Sequence, residues 1–255
     1  MTDLAKFGSL RGKRVFVTGG GSGIGESIVT AFAEQGAQVA FVDILRDASE
    51  ALVEKIKAAG HSAPLFRHCD ITDIPALQKT MADLAADIGD FDVLVNNAAN
   101  DQRHKAEEVT LEYWDQRIAI NQRPMFFTCQ SVIAGMRKKG GGSIINISSM
   151  SFHAKGAGYP VYATSKSAVI GLTRSLARDL GGYGIRVNTV TPGWVMTQRQ
   201  LDLWVDDAAK AEIARAQCLP GMLMPEHVSS MVLFLAADDS AMCTAQEFIV
   251  DAGWI

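Results

Sequence analysis

The sequence predicts an α/β protein whose parallel sheet is covered by helices on both faces. Apolar runs of strand length alternate with longer helical stretches, the runs are almost continuously apolar, and no Pro/Ser-rich linker divides the 255 residues. Strands separated by helices form parallel sheets, and strands that are buried on both faces lose the alternation of polar and apolar residues. One domain over residues 1–255 is expected, because single α/β domains often reach about 250 residues.

The individual elements follow from the same pattern. A strand is expected shortly before Cys69, and six apolar runs predict strands at 14–18, 38–43, 91–97, 143–148, 185–191 and 247–251. Helices are expected at about 23–35, 47–59, 73–88, 108–137, 160–180 and 225–237. The stretch from about 194 to 224 fits the alternation worst, and it is interpreted as either a mobile flap over a site or a helical insertion.

Composition limits the partners. The chain has 24 Lys+Arg against 28 Asp+Glu, a net charge of -4 and no block of like charges, which disfavours nucleic acid and anionic membranes. No apolar run is long enough to span a membrane or to form a leader, so a cytoplasmic protein is expected. The four cysteines are interpreted as reduced thiols, and no histidine or cysteine spacing predicts a metal site. A small molecule is the expected partner.

A glycine-rich turn follows the first expected strand. Its sequence is Thr18-Gly19-Gly20-Gly21-Ser22-Gly23-Ile24-Gly25, and an amphipathic stretch comes next. Glycines let the backbone approach a pyrophosphate, whose charge then meets the amides and the positive dipole of a helix N-terminus. The other interpretation is a tight turn that binds nothing. The position between a strand and a helix favours a phosphate cradle with Gly19, Ser22, Gly23, Ile24 and Gly25 as its residues.

Asp43 ends the second expected strand, 18 residues after Gly25. An acidic side chain there can accept hydrogen bonds from the adenosine ribose hydroxyls, and its charge would repel a 2′-phosphate. Ser22 is neutral and supplies no cation for that phosphate. NAD is therefore expected as the cofactor, while the nearby Arg46 leaves NADP as a weaker alternative.

Two further segments are expected near the cofactor. In Cys69-Asp70-Ile71, the Asp70 carboxylate could accept from the adenine amino group, or it could cap the following helix. In Asn96-Asn97-Ala98-Ala99, small residues follow the fourth strand, where the backbone has to come close to a bound cofactor. These segments add Asp70, Ile71, Asn97 and Ala98 to the cofactor-binding candidates.

Tyr162 and Lys166 are four residues apart, so on a helix they share one face. Lowering a tyrosine pKa by about three units, to make a base at neutral pH, takes roughly 4 kcal/mol. One ammonium about 4 Å away at an effective dielectric near 20 supplies roughly that amount. An isolated Y-x-x-x-K is more often an ordinary helix contact, but here other polar residues accompany the pair. We therefore expect Lys166 to make the Tyr162 hydroxyl acidic.

Ser149 and Asn121 are the accompanying residues. Ser149 lies at the end of the fifth expected strand, and parallel strands bring their C-terminal ends to a common edge. Asn121 is a poor helix former inside the long helix expected at 108–137, so either a polar role or an exposed surface position would explain it.

The order and spacing of these motifs resemble the short-chain dehydrogenase/reductase family, from about Gly12 to Ile255. Ala99, where many members have glycine, and Thr164, where alanine is usual, depart from the family pattern outside the catalytic positions. The resemblance implies a doubly wound Rossmann domain of about seven parallel strands, and a loop from Thr191 that contacts the nicotinamide. It implies the catalytic residues Asn121, Ser149, Tyr162 and Lys166, and adds Tyr162, Lys166, Pro192, Gly193, Val195 and Thr197 to the cofactor-binding residues.

The roles implied by the resemblance are specific. Tyr162, as a phenolate, takes the hydroxyl proton while a hydride passes to the nicotinamide. Ser149 holds the substrate oxygen, Lys166 binds the nicotinamide ribose, and Asn121 holds a water that passes the proton outward.

Polar residues follow the strands at the expected site edge and predict a hydroxylated substrate. Trp194 could stack on the C–H face of a sugar ring, although each of these residues could also belong to a solvated loop. The substrate-binding candidates are Asn100, Ser149, Ser151, His153, Tyr162, Trp194 and Arg199.

The segments NDQRHK, AQCLPG and DAGW are similar to those of bacterial aldose 1-dehydrogenases that act on D-xylose, L-arabinose or D-galactose. That similarity implies oxidation of the anomeric C1 hydroxyl of an aldopyranose to an aldonolactone. The alternatives are a polyol dehydrogenase or carbonyl reductase on the same scaffold, or a dinucleotide-sensing protein without catalysis. The family resemblance also implies a homotetramer assembled partly through the helices at 108–137 and 160–180.

Overall fold

A sheet of seven parallel strands forms the centre of the molecule, over the residues 5–255 that the computed structural model describes. The strands are β1 (Arg14–Thr18), β2 (Gln38–Asp43), β3 (Leu65–His68), β4 (Val93–Asn96), β5 (Gly142–Ile147), β6 (Ile185–Pro192) and β7 (Glu247–Val250). Their order across the sheet is β3-β2-β1-β4-β5-β6-β7. The direction of winding reverses between β1 and β4, and ligands of open α/β sheets bind at such a switch point.

Helices cover both faces of this sheet, so the predicted doubly wound Rossmann architecture is confirmed. The helices are α1 (Gly23–Glu34), α2 (Arg46–Ala58), α3 (Ile74–Ile88), α4 (Leu111–Asn121), α5 (Arg123–Lys139), α6 (Pro160–Leu180), α7 (Gln198–Leu203), α8 (Asp207–Ala216) and α9 (Pro225–Ala236). One core lies on the side of α1 and α9, around Phe32 and Val228, and the other lies around Phe16, Leu94 and Met136. Burial on both faces explains why the central strands are apolar throughout.

The prediction of a single helix at 108–137 is wrong. The structure has a short 3-10 turn at Ala106–Glu108, then α4, then α5, and the chain breaks between the two helices at Gln122 (φ -131°, ψ -55°). Pro124 is the physical reason. A proline ring inside a helix clashes with the carbonyl four residues earlier and donates no hydrogen bond, so α5 has to start anew just before it.

The stretch 194–224 contains α7 and α8, as a helical insertion would, and its role as a mobile flap stays a prediction. A bridge between Val195 and Leu223 joins its two ends. The strand expected before Cys69 is β3, whose half-exposed residues LFRH explain why no apolar run marked it.

Within residues 5–255, no helix combines the length and apolarity needed to cross a bilayer. In the same part of the chain, His, Cys, Asp and Glu side chains do not come together in a group of three that could hold a metal ion. All four cysteines are free thiols.

Candidate active site

The glycine-rich turn lies between β1 and α1, at the switch point of the sheet. Gly19 has a φ of +68°, and a Cβ there would lie 2.8 Å from Ala98 Cα. A Cβ on Gly25 would overlap the carbonyl oxygen of Gly19. Ser22 precedes α1 without a side-chain cap, so the first amides of the helix stay available to a ligand. Glycine is therefore required by the packing, and the uncapped amides fit an anionic group.

The segment after β4 braces this turn. Asn97 Nδ2 donates to the carbonyl oxygen of Gly19 at 2.9 Å, and the amides of Asn97 and Ala98 donate to Thr18 Oγ1 at 3.0 and 3.2 Å. Asn97 and Ala98 thus hold the turn in place with bonds that leave the amides of α1 unused.

Asp43 lies at the end of β2 and is buried. Its Oδ2 accepts from the Gly21 amide at 2.8 Å, and its Oδ1 accepts from the Leu45 amide at 2.9 Å. These bonds fix the carboxylate beside the glycine turn, and each oxygen keeps a lone pair for a ribose hydroxyl. Arg46 lies close by, but its guanidinium faces Glu50 at 3.7 Å.

Asp70 does not cap the following helix, so that alternative is wrong. The cap of α3 is Asp73, whose Oδ1 accepts from the Ala76 amide at 3.0 Å. Asp70 Oδ1 instead accepts from the amide and the hydroxyl of Thr72, at 2.9 and 2.8 Å. Asp70 is exposed and Ile71 half-buried, and their contact with adenine stays a prediction.

The segment after β6 reaches back to the glycine turn. A Cβ on Gly193 would lie 2.8 Å from Asp251 Cα, so this glycine is held against the chain that follows β7. The Thr197 hydroxyl accepts from the Gln200 amide at 3.3 Å and caps α7. The Thr197 methyl lies 3.1 Å from the position of a Cβ on Gly23. Thr197 thus lies beside the cradle, while the contact of Pro192, Gly193 and Val195 with a cofactor stays a prediction.

The structure brings Ser149, Tyr162 and Lys166 together above the end of β5. Lys166 Nζ is buried, donates to the Ile147 carbonyl oxygen at 2.8 Å and lies 5.8 Å from the centre of the Tyr162 ring. The Ser149 hydroxyl is close enough to Tyr162 to lower its pKa. Ser149 Oγ also accepts from the Ser151 amide at 3.1 Å, which leaves its own O–H free to donate.

The expectation that Lys166 makes Tyr162 acidic is wrong for the protein chain by itself. Burial raises the pKa of Tyr162, and the negative charge of Asp101 raises it further, while only the hydrogen bond with Ser149 opposes them. Burial also lowers the pKa of Lys166 to about 7, against the opposing effect of Asp101. The cost of burying both charges outweighs the attraction between the Lys166 ammonium and a Tyr162 phenolate.

Asn121 lies at the C-terminal end of α4, not inside a long helix, and it is fully buried. Its Oδ1 accepts from the Asn100 amide at 2.7 Å, and its Nδ2 donates to the Asn100 carbonyl oxygen at 3.1 Å. Asn121 therefore anchors the loop after β4, and the surface alternative is wrong. Its side-chain bonds go to this loop and not to the other three residues.

Asp101 joins the loop after β4 to the segment after β6. Its Oδ1 accepts from Arg199 Nε at 3.3 Å, and its Oδ2 accepts from Gln200 Nε2 at 2.7 Å. Gln200 Oε1 in turn accepts from Trp194 Nε1 at 2.9 Å. The predicted substrate residues Asn100, Trp194 and Arg199 are therefore part of one connected wall.

Ser151 and His153 follow Ser149 in the chain but differ in their surroundings. Ser151 Oγ is buried and has no hydrogen-bond partner among the described residues, and its contact with substrate stays a prediction. His153 Nε2 lies 2.8 Å from Oε1 of Glu247, on the edge strand β7. This contact ties the segment after β5 to β7, which is a structural role for His153. Its contact with substrate stays a prediction.

Four residues around the wall were not identified as site residues from the sequence, namely Asp101, Arg103, Tyr159 and Trp204. Asp101 acts on the pKa of both Tyr162 and Lys166, although it lies about 60 residues away in the chain. The Arg103 guanidinium lies 4.2 Å from the centre of the Trp204 ring and 5.9 Å from that of Tyr159. The mixed charge of the segment NDQRHK could have drawn attention to Asp101 and Arg103, but the sequence alone does not show which elements pack against that segment.

Comparisons with known proteins show which family the chain belongs to. Residues 19–255 match the family described as Enoyl-(Acyl carrier protein) reductase. The chain is 47% identical over 250 residues to a D-xylose 1-dehydrogenase of Caulobacter vibrioides, covering 98% of each chain. It is 46% identical over 249 residues to a probable galactose dehydrogenase of Rhizobium meliloti, covering 98% of this chain and 97% of the relative.

A solved 7α-hydroxysteroid dehydrogenase, in complex with NADH and 7-oxo glycochenodeoxycholic acid, superimposes with a TM-score of 0.91. It is 30% identical, and the match covers 96% of each chain. The fold and the sequence thus match those of family members over nearly the whole length of the chain. The chain belongs to the short-chain dehydrogenase/reductase family.

Proposed function

We propose that this enzyme oxidises a cyclic aldose, a pentose or related hexose, at its anomeric C1 hydroxyl, with NAD as the hydride acceptor. The product is an aldonolactone. The observation that carries the proposal is the group of Ser149, Tyr162 and Lys166, which lies beside Asp101 of the polar wall and at the same edge of the sheet as the glycine cradle. The two sugar dehydrogenases that align over nearly the full chain support the substrate class.

The cradle fits a dinucleotide, because its glycines allow close approach of the backbone and its helix amides are uncapped. Bound NAD supplies the hydride acceptor and a positive charge on its oxidised ring. The residues proposed to hold it are Gly19, Ser22, Gly23, Ile24, Gly25, Asp43, Asp70, Ile71, Asn97, Ala98, Tyr162, Lys166, Pro192, Gly193, Val195 and Thr197.

Asp43 favours NAD over NADP. Its carboxylate is fixed beside the turn by two backbone amides, and Arg46 is drawn toward Glu50. A 2′-phosphate would therefore meet a buried negative charge and no free cation, which makes NADP the weaker cofactor.

Tyr162 and Lys166 share one proton in the active form. The pair with a neutral tyrosine and a neutral lysine contains the same number of protons as the pair with a phenolate and an ammonium. These two forms differ only in which of the two residues holds the proton, so a change of pH does not alter the ratio between them. Both form when the pair loses its first proton, near the pKa of about 7 that burial gives Lys166. In the second form, Tyr162 accepts the proton of the substrate hydroxyl and Lys166 stabilises the phenolate.

Ser149 positions the substrate oxygen. Because its Oγ already accepts from the Ser151 amide, its hydroxyl donates toward that oxygen. The remaining ring hydroxyls meet the wall of Asn100, Ser151 and Arg199, and Trp194 offers an apolar face to the sugar ring. His153 is the weakest of the proposed contacts, since Glu247 already engages its Nε2. Asn121 supports the wall through Asn100 and is proposed to hold a water that carries the proton outward.

The test is a panel of initial rates. NADH formation is followed with pentoses, hexoses, polyols and simple alcohols, each with NAD and with NADP. The proposal expects the highest kcat/KM with an aldopyranose and NAD. A preference for polyols or for carbonyl reduction would favour the alternative activity on the same scaffold.

We also propose that the chain works in the cytoplasm as a homotetramer. An apolar groove of about 290 Å³ lies between α4, α5 and α6, and its lining includes Ile118, Phe127 and Leu172. Phe126 and Leu111 on the same helices are exposed by 47% and 70%. An apolar face of this kind marks an association surface, and the mass in light scattering at micromolar concentration tests it.

A further inference from the structure

Helix α6 holds Tyr162 and Lys166, yet it begins without a cap of its own. Its N-cap residue, Tyr159, makes no side-chain hydrogen bond to the helix, and Pro160 at the first position has no N–H. The next amide is that of Val161, immediately before Tyr162. Helix termini leave such donors unpaired unless another group accepts from them.

His104, in the loop after β4, supplies the missing acceptor. The Val161 amide donates to His104 Nε2 at 3.3 Å, while the His104 amide donates to the Gly158 carbonyl oxygen at 2.7 Å. The loop is therefore attached to the start of α6 by the backbone and by the imidazole ring together.

The hydrogen bonds fix the tautomer of His104. Because Nε2 accepts from Val161, the proton of the neutral ring lies on Nδ1. Nδ1 lies 2.9 Å from the Tyr113 hydroxyl and 3.1 Å from the Gln102 carbonyl oxygen, and both can accept that proton. The Tyr113 ring also packs against the imidazole, with ring centres 4.9 Å apart.

We propose that His104 is a positioning residue for Tyr162, acting as the N-cap of α6 from a different loop. Tyr162 is the third residue of the helix, so fraying of the first turn would displace its hydroxyl from Ser149. The inference rests on the proposed role of Tyr162 as the base. It makes the loop after β4 a support for the proton-transfer group as well as part of the substrate wall.

Two substitutions distinguish the contact made by Nε2 of the His104 ring from the contacts made by Nδ1. In His104→Gln, the amide oxygen reaches the position of Nε2 and can still accept from Val161. In His104→Asn, the shorter side chain reaches only the position of Nδ1, so the contact with Gln102 survives and the cap is lost. His61→Asn, in the turn after α2 at the opposite edge of the sheet, is the matched control.

We expect His104→Asn to differ from His104→Gln and His61→Asn in kcat and in the exchange of the Val161 amide. For His104→Asn, the frayed first turn of α6 becomes about fivefold more populated, the factor expected for one lost N-cap, and kcat falls by more than twofold. The KM for NAD is unchanged because the cradle is intact. His104→Gln and His61→Asn keep kcat within about twofold of wild type. Hydrogen exchange of the Val161 amide becomes about fivefold faster in His104→Asn alone.

Several results would overturn the proposal. They are wild-type kcat in His104→Asn, equal losses in the Gln and Asn variants, or Val161 exchange that does not respond to the substitution. If the wild-type enzyme oxidises none of the sugars, the proposed function fails, and the exchange measurement still decides whether His104 caps α6. Thermal unfolding of each variant checks that the chain is folded.

Discussion

Replacing Lys166 with methionine should change how the stability of the protein depends on pH. Lys166 is buried, and its pKa is lowered from 10.5 to about 7 by that burial. Each pKa unit corresponds to about 1.4 kcal/mol, so the buried charge costs up to about 5 kcal/mol at pH 7 and below. Methionine has a similar shape and carries no charge, so Lys166→Met removes this cost.

Whether the free energy of unfolding rises or falls with pH depends on how many protons the folded and the unfolded chain bind. Between about pH 7 and 10.5, the unfolded chain keeps a proton on Lys166 that the folded chain has released. The free energy of unfolding of the wild type therefore rises with pH in this window. From pH 7 to about pH 9.5 the wild type should gain about 3 kcal/mol relative to Lys166→Met. Tyr162 has little effect here, because its raised pKa affects stability only above about pH 10.

Denaturant unfolding of both proteins at these two pH values measures the effect. Lys138→Met, at a lysine whose side chain is 82% exposed, is the control and should follow the wild type. If wild type and Lys166→Met differ by the same amount at both pH values, Lys166 stays charged in the folded protein and its pKa is not lowered by burial.

Three other substitutions test other contacts of the site. Asp101→Asn removes a charge that raises the pKa of both Tyr162 and Lys166, so the rise of kcat/KM with pH should move to lower pH, with the exposed Asp207→Asn as control. Asn121→Ala removes both hydrogen bonds to the Asn100 backbone and should lower the free energy of unfolding by about 2 kcal/mol; a loss below about 0.5 kcal/mol would count against the anchor. Asp43→Asn should lower the ratio of kcat/KM for NAD over NADP at least tenfold, and an unchanged ratio would show that another residue selects the cofactor.

The fold was predictable because it depends on local patterns. Continuous apolar strands, the glycine turn and the alternation of strands with helices needed no knowledge of distant contacts. Among the strands, only β3 lacked an apolar run of its own, because its residues are half-exposed. The break between α4 and α5 was also present in the sequence, at Pro124, but the apolar pattern on either side concealed it.

The chemistry of the site was less predictable, because it depends on burial and on contacts between distant segments. The spacing of Tyr162 and Lys166 gave the pair but not the burial that raises one pKa and lowers the other. Asp101 and His104 lie about 60 residues before α6, and only the folded chain shows that they face it. Neither residue belongs to a motif with a fixed spacing to Tyr162.

In the proposed reaction, the Tyr162 hydroxyl transfers the proton during sugar oxidation. Tyr162→Phe removes that hydroxyl and keeps the ring, so the most direct measurement is its rate of NADH formation beside its affinity for NAD by calorimetry. We expect kcat to fall by about a thousandfold, while the Kd for NAD stays within about twofold of wild type. A variant that binds NAD normally and retains near-normal kcat would contradict it.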